Sequence, residues 1–262
     1  MPELPEIAFL AKQLSEVLHS KSIKDSVTNQ KKSLNIDEKS FHQLIKNQTI
    51  KRVTAKGKWL KIIFESNDYL AINLGMGGEI YYDLDHQKIN TKILFMDEHF
   101  LTISFWWFGH VHFIKSQTHH TLDELGLDLI HEETSLEEFS SYISSHRGYI
   151  KNVLLDQRKI AGIGNYYIHD ILFLSKIHPL TKANTLSKKT LHKLYDTIIN
   201  TLSQAIEQGG SFYEQDIYGN KGQYKADLVA YKENDLCPVC EKPITKIKTS
   251  STTSYICSKC QQ

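Results

Sequence analysis

The chain has 262 residues, 40% of them hydrophobic and 23% charged, and its 31 Lys+Arg and 30 Asp+Glu leave a net charge of +1. That length allows two domains with a sizeable core, while the lack of a long apolar run or of a charged-then-apolar leader argues against a membrane or secreted protein and for a soluble cytoplasmic one. Charge is unevenly shared: residues 1–146 hold 15 Lys+Arg and 20 Asp+Glu (net −5), whereas residues 147–262 hold 16 and 10 (net +6), which suits an anionic partner for the second half, against the plainer reading of a solvated mixed-charge surface.

The first segment, Met1-Pro2-Glu3-Leu4-Pro5-Glu6, precedes an apolar-periodic run from Ile7 to Leu18 and predicts a helix over residues 1–19. Pro5 suits a first helical turn because its missing N–H needs no partner there. Acidic residues at a helix start are ordinary, since they meet the positive end of the dipole. The segment has a second reading. Pro2 is small enough for Met1 to be removed, which would leave a secondary amine as the terminus. An α-amino group titrates near pH ~8, so a useful fraction is an uncharged nucleophile at neutral pH, and Glu3 is covalently next to it for proton transfer.

Residues 26–115 read mostly as short strands: Ile50–Ala55, Trp59–Phe64, Tyr69–Asn73, Glu79–Tyr82, Lys92–Met96, Phe100–Trp106 and His110–Ile114. Regular spacing with Asn, Asp and Gly between strands predicts an antiparallel β-sandwich. Lys56 and Lys58 belong to a basic cluster with Lys51, Arg52 and Lys61, which could be no more than a solvated strand face. A polar run from Ser116 opens a connection, and helices are predicted over Leu136–Ser145, Tyr149–Asp156, Tyr166–Leu174 and Lys188–Gln208, the last ended by Gly209-Gly210. Between two of them lies Gly162-Ile163-Gly164-Asn165, a turn that lets a backbone approach a phosphate beside a helix N-terminus.

All four cysteines fall near the end, as Cys237-Pro-Val-Cys240 and Cys257-Ser-Lys-Cys260. Two such knuckles suit one tetrahedral zinc with a β-hairpin between them, and the lack of His or carboxylate at ligand spacing makes the site structural rather than catalytic. A disulfide framework is disfavoured by their confinement to one segment.

The Pro-Glu-Leu-Pro-Glu helix and the four-cysteine hairpin, together with Lys56-Gly57-Lys58-Trp59-Leu60, Leu74-Gly75-Met76-Gly77-Gly78, Ala161-Gly162-Ile163-Gly164-Asn165 and Gly209-Gly210-Ser211 in that order, resemble the formamidopyrimidine-DNA glycosylase and endonuclease VIII family across the whole chain. The resemblance implies an α+β protein: an N-terminal helix and β-sandwich over 1–118, a linker over 119–130, a helix–two-turns–helix domain over 131–215, and a lesion-loop remainder and zinc finger over 216–262. It implies a monomeric, nucleoid-associated bacterial-type enzyme acting on double-stranded DNA with a damaged base or abasic site. Pro2 would attack the deoxyribose C1′, Glu3 would move protons, and Lys58 would contact the adjoining phosphate. Asn165 would bind the DNA backbone, with Lys151 and Tyr224 as further backbone contacts.

Met76, Trp107 and Phe108 match the residues that fill the gap left by an everted nucleotide. Here the chain departs from the family, because Trp107 stands at a position read as the family's arginine. An indole has one donor, so preference for a cytosine opposite the lesion should be weak. Phe105 and Trp106 read equally well as sandwich core. The hairpin tip, Thr249 to Ser254, also lacks the family's arginine, Asn73 replaces a common His, and Asp170 replaces a common Glu. The alternative that these departures favour is a non-excising reader of damaged DNA with the same fold.

Overall fold

A computed structural model of the chain describes residues 1–86, 88–106, 108–131, 134–249 and 252–262. Two compact units emerge: residues 1–124 with 206–223, and residues 125–205 with 224–262. Residues 206–223 therefore fold with the N-terminal unit, whereas the resemblance divided them between the helical domain and the remainder after it. Among the described residues no helix is long and apolar enough to cross a membrane.

The first unit is built on helix α1 (Leu4–Leu18), whose Ile7, Leu10, Ala11, Leu14 and Leu18 recur at helical spacing and are all buried. They pack against one of two antiparallel four-stranded sheets and share a core with the other. One has the order β1 (Ile23–Thr28), β6 (Thr91–Phe95), β7 (Phe100–Ser104), β5 (Glu79–Tyr82); the other β2 (Ile50–Lys56), β3 (Trp59–Phe64), β4 (Tyr69–Asn73), β8 (His110–Ile114). Alternation decides the faces. In β8, Val111 and Phe113 enter the core while His110 and His112 stay half-exposed. A second helix, α2 (Glu38–Ile45), adds Phe41 and Ile45 to the same core. It interrupts a stretch read as strands; its signal was Asp37, which caps Ser40 N–H at 2.9 Å ahead of apolar residues at helical spacing. Burying one leucine of such a core contributes about 1.5–3 kcal/mol.

The second unit contains α3 (Leu136–Ser144), opened by a capping box between Ser135 and Glu138, then α4 (Ile150–Leu155), α5 (Ile168–Leu174) and most of α6 (Lys188–Glu207). Strands β9 (Thr245–Thr249) and β10 (Thr252–Ile256) form the expected C-terminal hairpin. The α+β architecture, with an antiparallel sandwich, a helical unit and a cysteine-bearing hairpin, agrees with the sequence reading.

Candidate functional site

In the first unit, Pro2 and Glu3 are buried immediately before α1. The Glu3 carbonyl accepts the Ile7 N–H at 3.1 Å, which closes the first helical turn. The buried Glu6 carboxylate then joins two distant segments. It accepts the Glu3 N–H at 2.7 Å and the Ser211 N–H at 2.8 Å. Gly210 sits at φ +84°, and a Cβ there would lie 2.8 Å from Glu6 Cγ, so the turn takes glycine for both its dihedral and its space. The amino terminus belongs to Met1 and lies 3.3 Å from a carboxylate oxygen of Glu214. With Met1 present, the Pro2 nitrogen is a tertiary amide and no nucleophile.

The segment that follows Ser211 is tied to the sandwich. Tyr82 N–H donates to the carbonyl of buried Ile217 at 2.9 Å. Asp216 accepts from Tyr218 N–H (2.9 Å), Asn220 N–H (2.8 Å) and Gln13 Nε2 (3.1 Å). Burial alone would raise the Asp216 carboxyl, but these donors outweigh it and hold the group below its usual range.

Lys58 sits in the two-residue β2–β3 turn, where Gly57 at φ +53° supplies the conformation such hairpins require. Asn73 reaches across from the end of β4: its Nδ2 donates to the Lys58 carbonyl at 3.0 Å and its Oδ1 accepts the Gly75 N–H at 3.0 Å. The turn bearing Lys58 and the loop bearing Met76 are thus fastened by one amide.

Met76 is 51% exposed and Phe108 74%. Phe108 also has φ +61°, a costly conformation for a bulky side chain and one that concentrates at functional sites. Trp107 lies outside the described residues. Phe105 is core, as anticipated, but Trp106 is 71% exposed, which rules out the core reading for it. Strand β7 ends at Ser104, and the chain leaves the sheet before Trp106.

Beside this edge, Trp59 stacks on His110 with ring centroids 5.9 Å apart, and His112 Nδ1 lies 3.0 Å from His120 Nε2. Burial, and then the neighbouring His110 and His120, push His112 down to about 4.

In the second unit, Gln157 organises the glycine turn: its Nε2 donates to Ile163 O at 2.8 Å and its Oε1 accepts the Gly162 N–H at 2.8 Å. Asn165 follows, half-buried, and its Oδ1 has no hydrogen-bond partner among the described residues. Lys151 is 0% exposed. Its ammonium donates to the Thr253 carbonyl at 2.5 Å and Ser254 Oγ at 2.8 Å, and burial lowers its pKa to about 8. It anchors the hairpin to α4. Tyr224 is also buried, which raises its phenol. Asp170 accepts three successive backbone N–H groups, from Leu228, Val229 and Ala230, at 2.9–3.2 Å, fixing the chain that leads to the cysteines; burial raises its carboxyl above the usual range.

Cys237, Cys240, Cys257 and Cys260 are free thiols whose sulfurs all lie within 4.8 Å of one another. Two of the gaps measure 3.8 Å and 3.3 Å. Tetrahedral ligation at ~2.3 Å places sulfurs about 3.8 Å apart, so the cluster has the dimensions to hold a metal ion. Burial and the three neighbouring thiols raise Cys260 to about 12, and a divalent cation is what would let all four ionise.

Sequence reasoning singled out Pro2, Glu3, Lys58, Asn165 and the cysteines from motifs. It took Glu6 for a helix-start acid and did not weigh Glu214, because nothing local marks a partner some 200 residues away.

Residues 1–118 match the family described as formamidopyrimidine-DNA glycosylase N-terminal domain, and residues 125–216 its H2TH domain. A formamidopyrimidine-DNA glycosylase of Ligilactobacillus salivarius is 31% identical over 100% of this chain and 99% of its own length, and one of Mycoplasma mobile is 30% identical with the same coverage. Among solved structures, Lactococcus lactis Fpg in complex with DNA containing N7-benzyl-Fapy-dG superposes with a TM-score of 0.90 at 26% identity over 100% of both chains. The same protein with abasic-site DNA gives 0.90 at 25% identity over 99% of both.

Proposed function

The chain belongs to the formamidopyrimidine-DNA glycosylase family and is a base-excision repair enzyme, a DNA glycosylase with AP lyase chemistry; we propose that its nucleophile is the imino nitrogen of Pro2, bared by removal of Met1. The observation that carries this is the burial of Pro2 and Glu3 at the head of α1, with Glu3 tied through Glu6 to Ser211.

In this mechanism the Pro2 nitrogen bonds to C1′ of the damaged deoxynucleotide and the base departs with its bonding electron pair, while Glu3 transfers a proton at the sugar. The resulting iminium acidifies the C2′ proton. Its loss expels the 3′ phosphate, a second elimination expels the 5′ phosphate, and water frees Pro2. Covalent catalysis divides one difficult displacement into easier steps. Lys58 steadies the phosphate beside the lesion and Asn165 grips the backbone, a role that suits the partnerless oxygen of its amide, since amide orientation follows from the partner. Met76 and Phe108 fill the gap. The metal is one zinc ion, held by the four thiolates, which shapes the hairpin and takes no part in the chemistry. The substrate is duplex DNA with a damaged base or abasic site, met by a monomer on the nucleoid in the cytoplasm.

Borohydride reduces an iminium to a stable amine. Wild-type protein and an abasic-site duplex should therefore yield a covalent adduct, and Pro2→Gly much less of it. No adduct with wild type, or equal adduct with Pro2→Gly, overturns the assignment. An intact-protein mass that retains Met1 would do the same. Adduct formation without release of any damaged base would support the non-excising reading.

A further inference from the structure

One carboxylate oxygen of Glu214 lies 3.3 Å from the terminal nitrogen of Met1, and the Glu214 side chain is 21% exposed. An ion pair open to water adds little to stability, so the interest of this one is its place. Two other carboxylates near the terminus are committed to backbone. Glu3 and Glu6 close a reciprocal capping box over the start of α1, and Glu6 also accepts the Ser211 N–H. Glu214 faces an amine instead.

The backbone carrying Glu214 is fixed from both sides. Its N–H donates to the Ser211 carbonyl at 3.0 Å, and its own carbonyl accepts the Gly222 N–H at 3.2 Å. A Cβ on Gly222 would lie 2.3 Å from the Gly210 carbonyl oxygen, so the two arms of this loop close on each other with no room for a side chain. Gln215 bridges to Lys221 and accepts the hydroxyl of Tyr81 on β5. Through Ser211 the loop is held by Glu6, the same acid that holds Glu3. Removing Met1 moves the free amine along by one residue, at most about 3.6 Å of chain, and the rotatable stem of a glutamate lets its carboxylate follow.

We propose that Glu214 is a catalytic residue that serves the Pro2 nitrogen, taking its proton before attack and facing its positive charge afterwards. The proposal rests on the reading that Pro2 is the nucleophile. A secondary ammonium has no lone pair to offer C1′. One proton passes from it to the Glu214 carboxylate, and the freed pair makes the N–C1′ bond while the C1′–base bond breaks and its electrons leave with the base; on an abasic site, water leaves instead. The nitrogen still carries a proton, which Glu214 removes once it has passed the first to water. The C1′–O4′ bond then breaks toward oxygen, where Glu3 supplies a proton, and the nitrogen pair becomes the C1′=N bond of the iminium. A fixed carboxylate beside that cation stabilises it as it forms.

The test compares wild type, Glu214→Gln, Glu214→Asp and Glu214→Ala, each shown by mass to lack Met1, in single-turnover cleavage of an abasic-site duplex across a range of pH. Glu214→Gln keeps the shape and removes the charge. Its plateau rate should fall roughly 100-fold, the lower end of what a placed base contributes. The pH of half-maximal rate should also move down by about one unit, because a nearby opposite charge favours the charged amine. Glu214→Asp should recover part of the rate, and added formate should do the same for Glu214→Ala while leaving wild type unchanged. Affinity for a duplex carrying an unreactive tetrahydrofuran analogue should not fall in any of them. A Glu214→Gln protein with the rate and pH profile of wild type would overturn the proposal. So would a loss of rate that comes with lost affinity, an unmoved pH profile and no rescue by formate, which is the pattern of a disordered loop. Wild type that forms no borohydride adduct ends the Pro2 reading and this one with it, whereas a normal wild-type adduct beside an unaffected Glu214→Gln ends this one alone.

Discussion

The Glu6 carboxylate accepts the backbone N–H of Ser211 at 2.8 Å across 205 residues of chain, and the Glu3 N–H at 2.7 Å. One buried acid therefore sets the position of Glu3, the residue beside the proposed nucleophile Pro2, relative to the Gly209-Gly210 turn. Neither donor has water to fall back on, so the bond matters most through what its loss would strand.

Glu6→Ala leaves two buried N–H groups unpaired. At about 1–3 kcal/mol for each stranded group, the variant should lose roughly 2–6 kcal/mol of stability in denaturant melts. At temperatures where it remains folded, borohydride trapping should still fall, because Glu3 loses its N–H tie to Glu6. Full stability and full trapping together would show that the link is incidental.

Asn73→Ala cuts both amide bonds that join the Lys58 turn to the Gly75 loop. Each such bond is worth about 1 kcal/mol net, so melting should shift modestly. Single-turnover strand cleavage should fall further, by about tenfold, if Lys58 must be placed to within a fraction of an ångström. A variant that cleaves like wild type would separate the Lys58 position from this amide.

Much of this was legible in the sequence, and the reason differs by element. The helix of Ile7, Leu10, Leu14 and Leu18, the strands with alternating faces and the paired Cys-x-x-Cys knuckles each carry their signal within a dozen or so residues. Helix α2 was overlooked because it is short and half polar, with Phe41 and Ile45 alone fully buried. Residues 206–223 could not be assigned from pattern, since what draws them to the first unit is Glu6, Gln13 and Tyr82, each more than a hundred residues upstream. Trp106 was ambiguous for a related reason. An aromatic following an alternating strand looks like core until the strand is seen to stop at Ser104.

Acid should destabilise the fold well above the range of carboxylate titration. Burial lowers His112 to about 4 and His169 to about 3 from an ordinary 6.5. The unfolded chain therefore binds protons that the folded chain refuses. The stability these rings contribute is complete above pH 6.5 and is lost as pH falls toward 4 for His112 and 3 for His169. Thermal melts between pH 7 and pH 4.5 should show Tm falling, with a shallower slope in His112→Gln and in His169→Phe. Identical slopes in all three proteins would rule out the buried neutral rings as the cause.

Metal removal should act locally. The hairpin core consists of Phe173, Val229, Cys237, Ile244 and Cys257, so two of its five buried members belong to the four-cysteine cluster that could hold the metal. Ligation is the folding energy of such a module. A strong chelator, or Cys237→Ser, should abolish tight binding of abasic-site duplex while leaving the thermal transition of the sandwich in place. Wild-type affinity in metal-free protein would refute the hairpin's part in binding.

Lys151 separates an anchor from a phosphate contact. Its ammonium is spent on Thr253 O and Ser254 Oγ, and its pKa near 8 means that below pH 8 the fold carries a buried charge with no carboxylate beside it among the described residues. Between pH 8 and 10.5 the fold gives up this proton before the unfolded chain does, so its contribution to stability should improve as pH rises through that window. Lys151→Met keeps the volume of the stem but drops the hydrogen bonds. If Lys151 is an anchor, the variant should bind abasic-site duplex less tightly with full zinc content, and the slope of log K against log salt should match wild type. A lysine that touches phosphate would instead lower that slope by about one. The slope decides between the two roles, because a looser hairpin weakens every contact it carries without changing how many counterions the remaining lysines release.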